Sequence, residues 1–129
     1  VHPRTRKNLE TSGLLQSIAG KANIKLLEPQ NYISFMNLVF NCRMAVTDSG
    51  GLQEETTYLG IPCLTLRPNT ERPITITEGT NELVTVETMG DQVERILADR
   101  WKKGTVPALW DGKTAARIVD EIETFLGRR

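Results

Sequence analysis

The chain has 129 residues, with 16 Lys and Arg against 16 Asp and Glu, and so carries no formal net charge. That length supports one domain with a real core, and the balanced charge gives no electrostatic reason for non-specific nucleic-acid binding or attraction to an anionic membrane. No apolar run approaches the roughly 18 residues of a helical span and no charged-then-apolar leader opens the chain, so neither membrane nor export is expected and the protein is read as cytoplasmic. The two cysteines, Cys42 and Cys63, lie in apolar segments. Parity permits a disulfide, but buried free thiols of a cytosolic protein are the expected state. The opening Val1-His2-Pro3 lacks a starting Met and reads like the tail of a strand, so the chain is expected to be a piece of a longer protein.

Taken in order, Leu9, Leu14, Leu15 and Ile18 recur at near-helical spacing and predict a helix over residues 5–19, weakened at Gly13. Ile24-Lys25-Leu26-Leu27 predicts a short strand closed by Glu28-Pro29. Tyr32 to Phe40 is an apolar-rich helix. Met44-Ala45-Val46-Thr47 is a second strand ending at Asp48. A helix from about Leu52 to Leu59 stops at Gly60, ahead of Pro62. Cys63-Leu64-Thr65-Leu66 is a third strand, followed by a polar loop from Arg67 to Arg72, and Leu83-Val84-Thr85-Val86 is a candidate fourth. Met89 to Trp101 and Thr114 to Leu126 are amphipathic helices. The stretch from Lys102 to Gly112 reads as a hinge between them, with Trp101 and Trp110 packing the last helices. Short apolar strands alternating with helices imply right-handed crossovers and a parallel sheet covered on both faces.

In such a sheet, ligands sit beyond the carboxyl ends of the strands. The loops there collect the chemically interesting residues, above all "TDSGGLQEE" at 47–55. Ser49-Gly50-Gly51 lies where a strand hands over to a helix. Two residues without Cβ let a phosphate approach the free N–H groups of the first turn, where the helix dipole favours an anion. The same residues suit a plain tight turn with Ser49 as N-cap. The glycines match neither a Walker loop nor a dinucleotide fingerprint. Glu54 and Glu55 suit the helix dipole whatever the function, yet a carboxylate leaning over the site can also accept two hydrogen bonds from a ribose diol. Arg67 and Arg72 offer a planar fork suited to a diphosphate. Phe35 and Tyr32, near Gln30, provide either core packing or a flat wall for a base. His2 is the only histidine. No His/Cys cluster has metal-ligand spacing, and Ser49 does not sit in a nucleophile elbow.

The string "TDSGGLQEETTYLGIPCLTLRPNTERPITITEGTNELV", flanked by "VHPRT", "EPQNYISF" and "WDGKTAARIVDEI", resembles the C-terminal domain of UDP-N-acetylglucosamine 2-epimerases. The order and spacing of TDSGG-x-QEE, TERP and GT-x-x-LV carry the resemblance. It implies an α/β fold: a Rossmann-like parallel sheet with helices on both faces, forming the C-terminal half of a two-domain GT-B fold. Residues 1–129 are then one UDP-binding domain. It further implies interconversion of UDP-GlcNAc and UDP-ManNAc by elimination and re-addition of UDP, without a metal or other cofactor. Gln30 and Phe35 match the uracil pocket, and Ser49, Gly50 and Gly51 the diphosphate cradle. Glu55 matches the carboxylate for the ribose hydroxyls, Arg72 an arginine at the phosphates, and His2 a cleft residue near an effector site. The acid/base residues are expected outside this chain, in a missing N-terminal domain, and the full-length protein is expected to be a homodimer. One departure stands out: Thr85-Val86 follows Leu83-Val84 where the family commonly reads LVG, leaving the backbone there open. A hydrolysing relative that releases free ManNAc, a GT-B glycosyltransferase, a stand-alone nucleotide-binding domain and a response-regulator-like domain are the alternative readings.

Overall fold

Three short strands pair in parallel in the computed structural model, which describes residues 1–127. The chain divides into two compact units, residues 1–38 and 39–129.

In the first unit, α1 (Pro3–Thr11) and α2 (Leu14–Ala19) pack on each other. The single helix expected over 5–19 is thus two. Gly13 breaks it at φ +71°, a left-handed backbone that glycine adopts without steric penalty. The start of α1 suits its sequence, with Pro3 in the first turn, where its missing N–H costs no helical bond. Residues 24–27 form no strand, because a strand requires a ladder partner and the described residues of this unit contain none. The carbonyl of Leu27 instead accepts from the terminal ammonium of Val1, and Arg6 pairs with Glu28. Beyond Asn31, α3 (Tyr32–Phe40) begins in this unit.

The second unit holds the sheet: β1 (Ala45–Thr47), β2 (Cys63–Thr65) and β3 (Asn81–Leu83), in the order β1-β2-β3. Connecting them are α4 (Gly50–Leu59) and α5 (Ile74–Thr77), and α6 (Val86–Leu97) and α7 (Thr114–Phe125) follow. The register sets Ala45 beside Cys63 and Cys63 beside Asn81. All of β2 is buried, as a central strand covered on two faces should be. Alternation turns Leu64 to one face, where it joins Val84 and Ile96 of α6, with Met44, Met89, Val93 and Trp101 packed around them. Cys63 and Thr65 turn to the other face, on which α4 lies. The expected α/β architecture with a parallel sheet and helices is therefore present, with three strands rather than four.

The last strand sits two residues upstream of expectation. Thr80 and Asn81 are polar yet almost fully buried, so an apolar pattern could not find them. Val84 continues the ladder with one bond, its N–H donating to Thr65 O at 2.9 Å. Thr85 then ends the extended run by forming a reciprocal capping box with Thr88. That settles the backbone at the Thr85-Val86 departure and starts α6 three residues before Met89. The helix stops before Trp101, at Asp99 with φ +55°. Arg43 covers this end, reaching Leu97 O at 3.3 Å and Asp99 Oδ1 at 2.7 Å.

The segment read as a hinge is fastened down at its start. Thr105 N–H donates to Glu78 O at 2.8 Å, and Lys102 Nζ reaches Ile76 O at 2.7 Å and Glu82 at 3.0 Å. Trp101 packs on the sheet rather than on α7, its Nε1–H donating to Thr80 O at 2.9 Å. The apolar stripe of α7 stays open, with Ile118, Val119 and Ile122 each about half exposed. Both cysteines are free thiols, Cys63 buried and Cys42 half-buried, and burial pushes both up from their ordinary pKa.

Candidate functional site

Thr47 ends β1, and Leu66 and Arg67 follow β2 at the same end of the sheet. Between Thr47 and α4 the chain turns through Asp48 and Ser49. Ser49 donates its N–H to Thr47 Oγ1 at 3.0 Å and caps α4, its hydroxyl accepting weakly from Leu52 N–H at 3.5 Å. Gly50 and Gly51 form the first turn with ordinary helical backbone. A Cβ on Gly50 would meet nothing within 4 Å, and one on Gly51 only Ser49 Oγ at 4.0 Å. Neither the turn nor the packing therefore demands these glycines. What they provide is a bare helix N-terminus facing open space, the arrangement that receives an anion.

The loop after β2 is anchored on α4. Thr70 Oγ1 donates to Gln53 Oε1 at 2.6 Å and accepts from Arg72 N–H at 3.0 Å. Gln53 is fully buried, and its Oε1 also accepts from Asn81 Nδ2 at 3.3 Å. The same Asn81 amide donates to Thr75 Oγ1 at 3.1 Å, while its Oδ1 accepts from Thr65 at 2.7 Å. Thr75 in turn donates to Arg72 O at 2.7 Å. A polar network thus ties β2, β3, α4 and α5 to the loop, with Gln53 Nε2 left unpartnered among the described residues, and a buried network of this kind specifies geometry because each unmade bond is costly. Sequence reasoning missed Gln53, Thr70, Thr75 and Asn81. No local signal marks them, since Thr70 lies in a polar loop and Gln53, Thr75 and Asn81 in elements of mixed composition.

The two acids diverge. Glu54 forms an ion pair with Arg72 Nε at 2.9 Å, a contact between elements that no i,i+4 spacing could reveal. Glu55 is half-exposed and makes no hydrogen bond or ion pair with the described residues. Arg67 pairs with Glu71 at 3.4 Å. The structure thus joins Arg72 to the helix that begins at the glycine pair, through Glu54 directly and through Gln53 by way of Thr70.

In the first unit, His2, Gln30 and Phe35 line one hollow of about 390 Å³ together with Leu27, Glu28 and Leu38. His2 Nδ1 accepts from Arg4 N–H at 3.2 Å and so caps α1. The amide of Gln30 donates to Glu28 O at 2.7 Å. Phe35 is 39 % exposed, and Tyr32 is not among the walls. Among the described residues there is no His, Cys, Asp and Glu grouping able to hold a metal, and no helix is long and apolar enough to cross a membrane.

A parallel sheet with a bare helix N-terminus beyond β1 and an arginine-bearing loop beyond β2 defines a Rossmann-like α/β domain. The profile of the UDP-N-acetylglucosamine 2-epimerase family matches residues 1–123, and the chain belongs to that family. It is 39 % identical over 124 residues to the UDP-N-acetylglucosamine 2-epimerase of Methanocaldococcus jannaschii, covering 92 % of this chain and 32 % of that one. The crystal structure of the M. jannaschii UDP-GlcNAc 2-epimerase in complex with UDP-GlcNAc and UDP superimposes with a TM-score of 0.78 at 39 % identity, covering 95 % of this chain and 34 % of the other. The Neisseria meningitidis enzyme bound to UDP-GlcNAc gives a TM-score of 0.73 at 31 % identity, covering 96 % and 34 %. The chain spans about a third of the length of the relatives it matches.

Proposed function

We propose that this chain is the C-terminal, UDP-binding domain of a UDP-GlcNAc 2-epimerase. The full-length protein interconverts UDP-GlcNAc and UDP-ManNAc by eliminating UDP and adding it back after C2 is protonated on the opposite face. Elimination builds negative charge on the departing diphosphate, so the domain's task is to hold that charge with preorganised donors. Ser49 and the free N–H groups at Gly50 and Gly51 take the diphosphate, with Arg72 beside them. Glu55, the acid without a partner among the described residues, takes the ribose hydroxyls. In the first unit, Gln30 and Phe35 take the uracil, and His2 contacts an effector in the cleft. The acid and base that act at C2 belong to an N-terminal domain. The intact enzyme is a cytoplasmic homodimer and needs no cofactor.

The observation that carries this reading is the glycine pair, which the fold does not require and a phosphate does. Family membership supports the choice of ligand. The test is to incubate the full-length protein with UDP-GlcNAc and follow the sugars by NMR. UDP-ManNAc is expected. Free ManNAc with UDP would identify a hydrolysing enzyme instead, and the absence of both products would overturn the catalytic assignment.

A further inference from the structure

Gln53 and Glu54 are adjacent on α4, and both reach Arg72, nearly twenty residues later in the chain. Glu54 meets its side chain, with the carboxylate against Nε at 2.9 Å. Gln53 meets its main chain through one hydroxyl, since Thr70 Oγ1 donates to Gln53 Oε1 at 2.6 Å while accepting from Arg72 N–H at 3.0 Å. The two contacts differ in character. The ion pair is about half exposed and screened by solvent. The amide is fully buried and its oxygen also accepts from Asn81, so it cannot move without breaking two bonds.

An arginine on a polar loop ordinarily samples many rotamers, and ordering such a long side chain costs conformational entropy. Here its backbone is pinned, and its guanidinium is drawn toward the helix whose first turn is bare. The ordering is thereby met in the folded protein rather than at the moment of binding, which is how preorganisation raises affinity.

We propose that Gln53 and Glu54 are positioning residues for Arg72. The helix that offers its N-terminus to the diphosphate also sets, through its next two residues, the arginine that completes the anion site. This inference rests on the assignment of Arg72 to the diphosphate made above. It also accounts for the whole Gln53-Glu54-Glu55 run, in which two residues hold an arginine and the third remains for the ligand.

The test is a set of double-mutant cycles in the full-length protein, with E54A, T70V and R72A measured singly and in pairs for kcat/KM with UDP-GlcNAc and for UDP Kd by calorimetry. T70V removes the relay hydroxyl while keeping the side-chain shape, and a thermal melt of each variant confirms that it folds. R72A should lose about thirtyfold, as expected for a hydrogen bond to a charged group. E54A should lose about fivefold, near the upper end for an exposed pair, and T70V about fivefold, as for one net hydrogen bond. In the R72A background both should lose less than about twofold, because the residue they serve has gone. A purely structural role would lower activity equally in both backgrounds, and that result overturns the proposal. Wild-type behaviour of R72A also overturns it, while UDP-ManNAc formation in the same assay would leave the epimerase reading standing. If the wild-type protein converts no UDP-GlcNAc, the epimerase reading fails and the cycle in UDP Kd decides the positioning claim by itself. Absence of UDP binding overturns both.

Discussion

Gly51 separates two explanations of the Ser-Gly-Gly turn, because they predict opposite signs for one substitution. If the glycine served the fold, adding a methyl group would damage it. The structure argues otherwise. Gly51 has no positive φ, and a Cβ there would meet only Ser49 Oγ at 4.0 Å, an ordinary contact. Alanine in a helix is worth about 0.5–1 kcal/mol over glycine, with the lower figure suited to a first turn. G51A in the full-length protein should therefore be as stable as wild type or more so, by up to about 1 kcal/mol in a urea titration. The same methyl group stands where a phosphate oxygen would approach the backbone N–H. UDP binding by calorimetry should weaken at least tenfold, a loss of about 1.4 kcal/mol or more. Gain of stability with loss of affinity is the signature of a position kept bare for a ligand. Unchanged UDP affinity would refute the cradle, and lowered stability would return Gly51 to the fold.

Gly79 should behave in the opposite way: its Cβ would lie 2.5 Å from Thr57 and from Thr75 O, so G79A should cost about 1–3 kcal/mol in denaturant unfolding. E55A should raise the KM for UDP-GlcNAc while leaving the far-UV spectrum and melting temperature unchanged, since Glu55 makes no hydrogen bond or ion pair among the described residues; wild-type kinetics would reject the ribose assignment. Asp111 is held down to about 2 from an ordinary 3.8, chiefly by hydrogen bonds from Arg117 and then by the Lys113 N–H. A lowered carboxylate stabilises the fold above its unfolded pKa and loses that contribution as pH falls through its folded one. The order of α7 should therefore be constant above about pH 4 and decline toward pH 2. In D111N that acid-dependent loss, followed by circular dichroism, should be weaker.

Much of the architecture was legible because period and punctuation are local. Gly60 marked the end of α4, and the apolar runs at 44–47 and 63–66 marked β1 and β2 within a residue or so. The errors share one cause, dependence on partners distant in sequence. Residues 24–27 have strand composition but no ladder neighbour among the described residues of their unit, while Asn81 has loop composition but lies in β3, bonded to Thr65, Gln53 and Thr75. The four-residue α5 is too short to show a period. At the site, Ser49, Gly50 and Gly51 stood out by residue type, and the family resemblance chose Arg72 over Arg67. The Glu54–Arg72 pair and the buried amides emerge only when β2 and β3 bring their loops to α4.

The two faces of β2 show why the polar half of the core is present at all. On one side, Leu64, Val84 and Ile96 exclude water and supply non-directional stability. Such a face tolerates repacking and would leave the following loops free to settle in several ways. On the other side, Thr65, Asn81, Gln53 and Thr75 are buried at 0 % exposure and joined by directional bonds. Replacing them with apolar residues of similar volume need not destabilise the fold, because buried polar networks are seldom worth more than the packing they displace, and Gln53 Nε2 has no partner among the described residues. It would remove the hydrogen-bonded connections from α4 to the main chain of Arg72, through Thr70 to its N–H and through Asn81 and Thr75 to its carbonyl. The polar face is therefore better explained by placement than by stability: it converts the position of a strand into the position of a guanidinium. A Q53L/N81L pair that kept the melting temperature but weakened UDP binding would show the two faces to be separable, and equal loss of both would show that they are not.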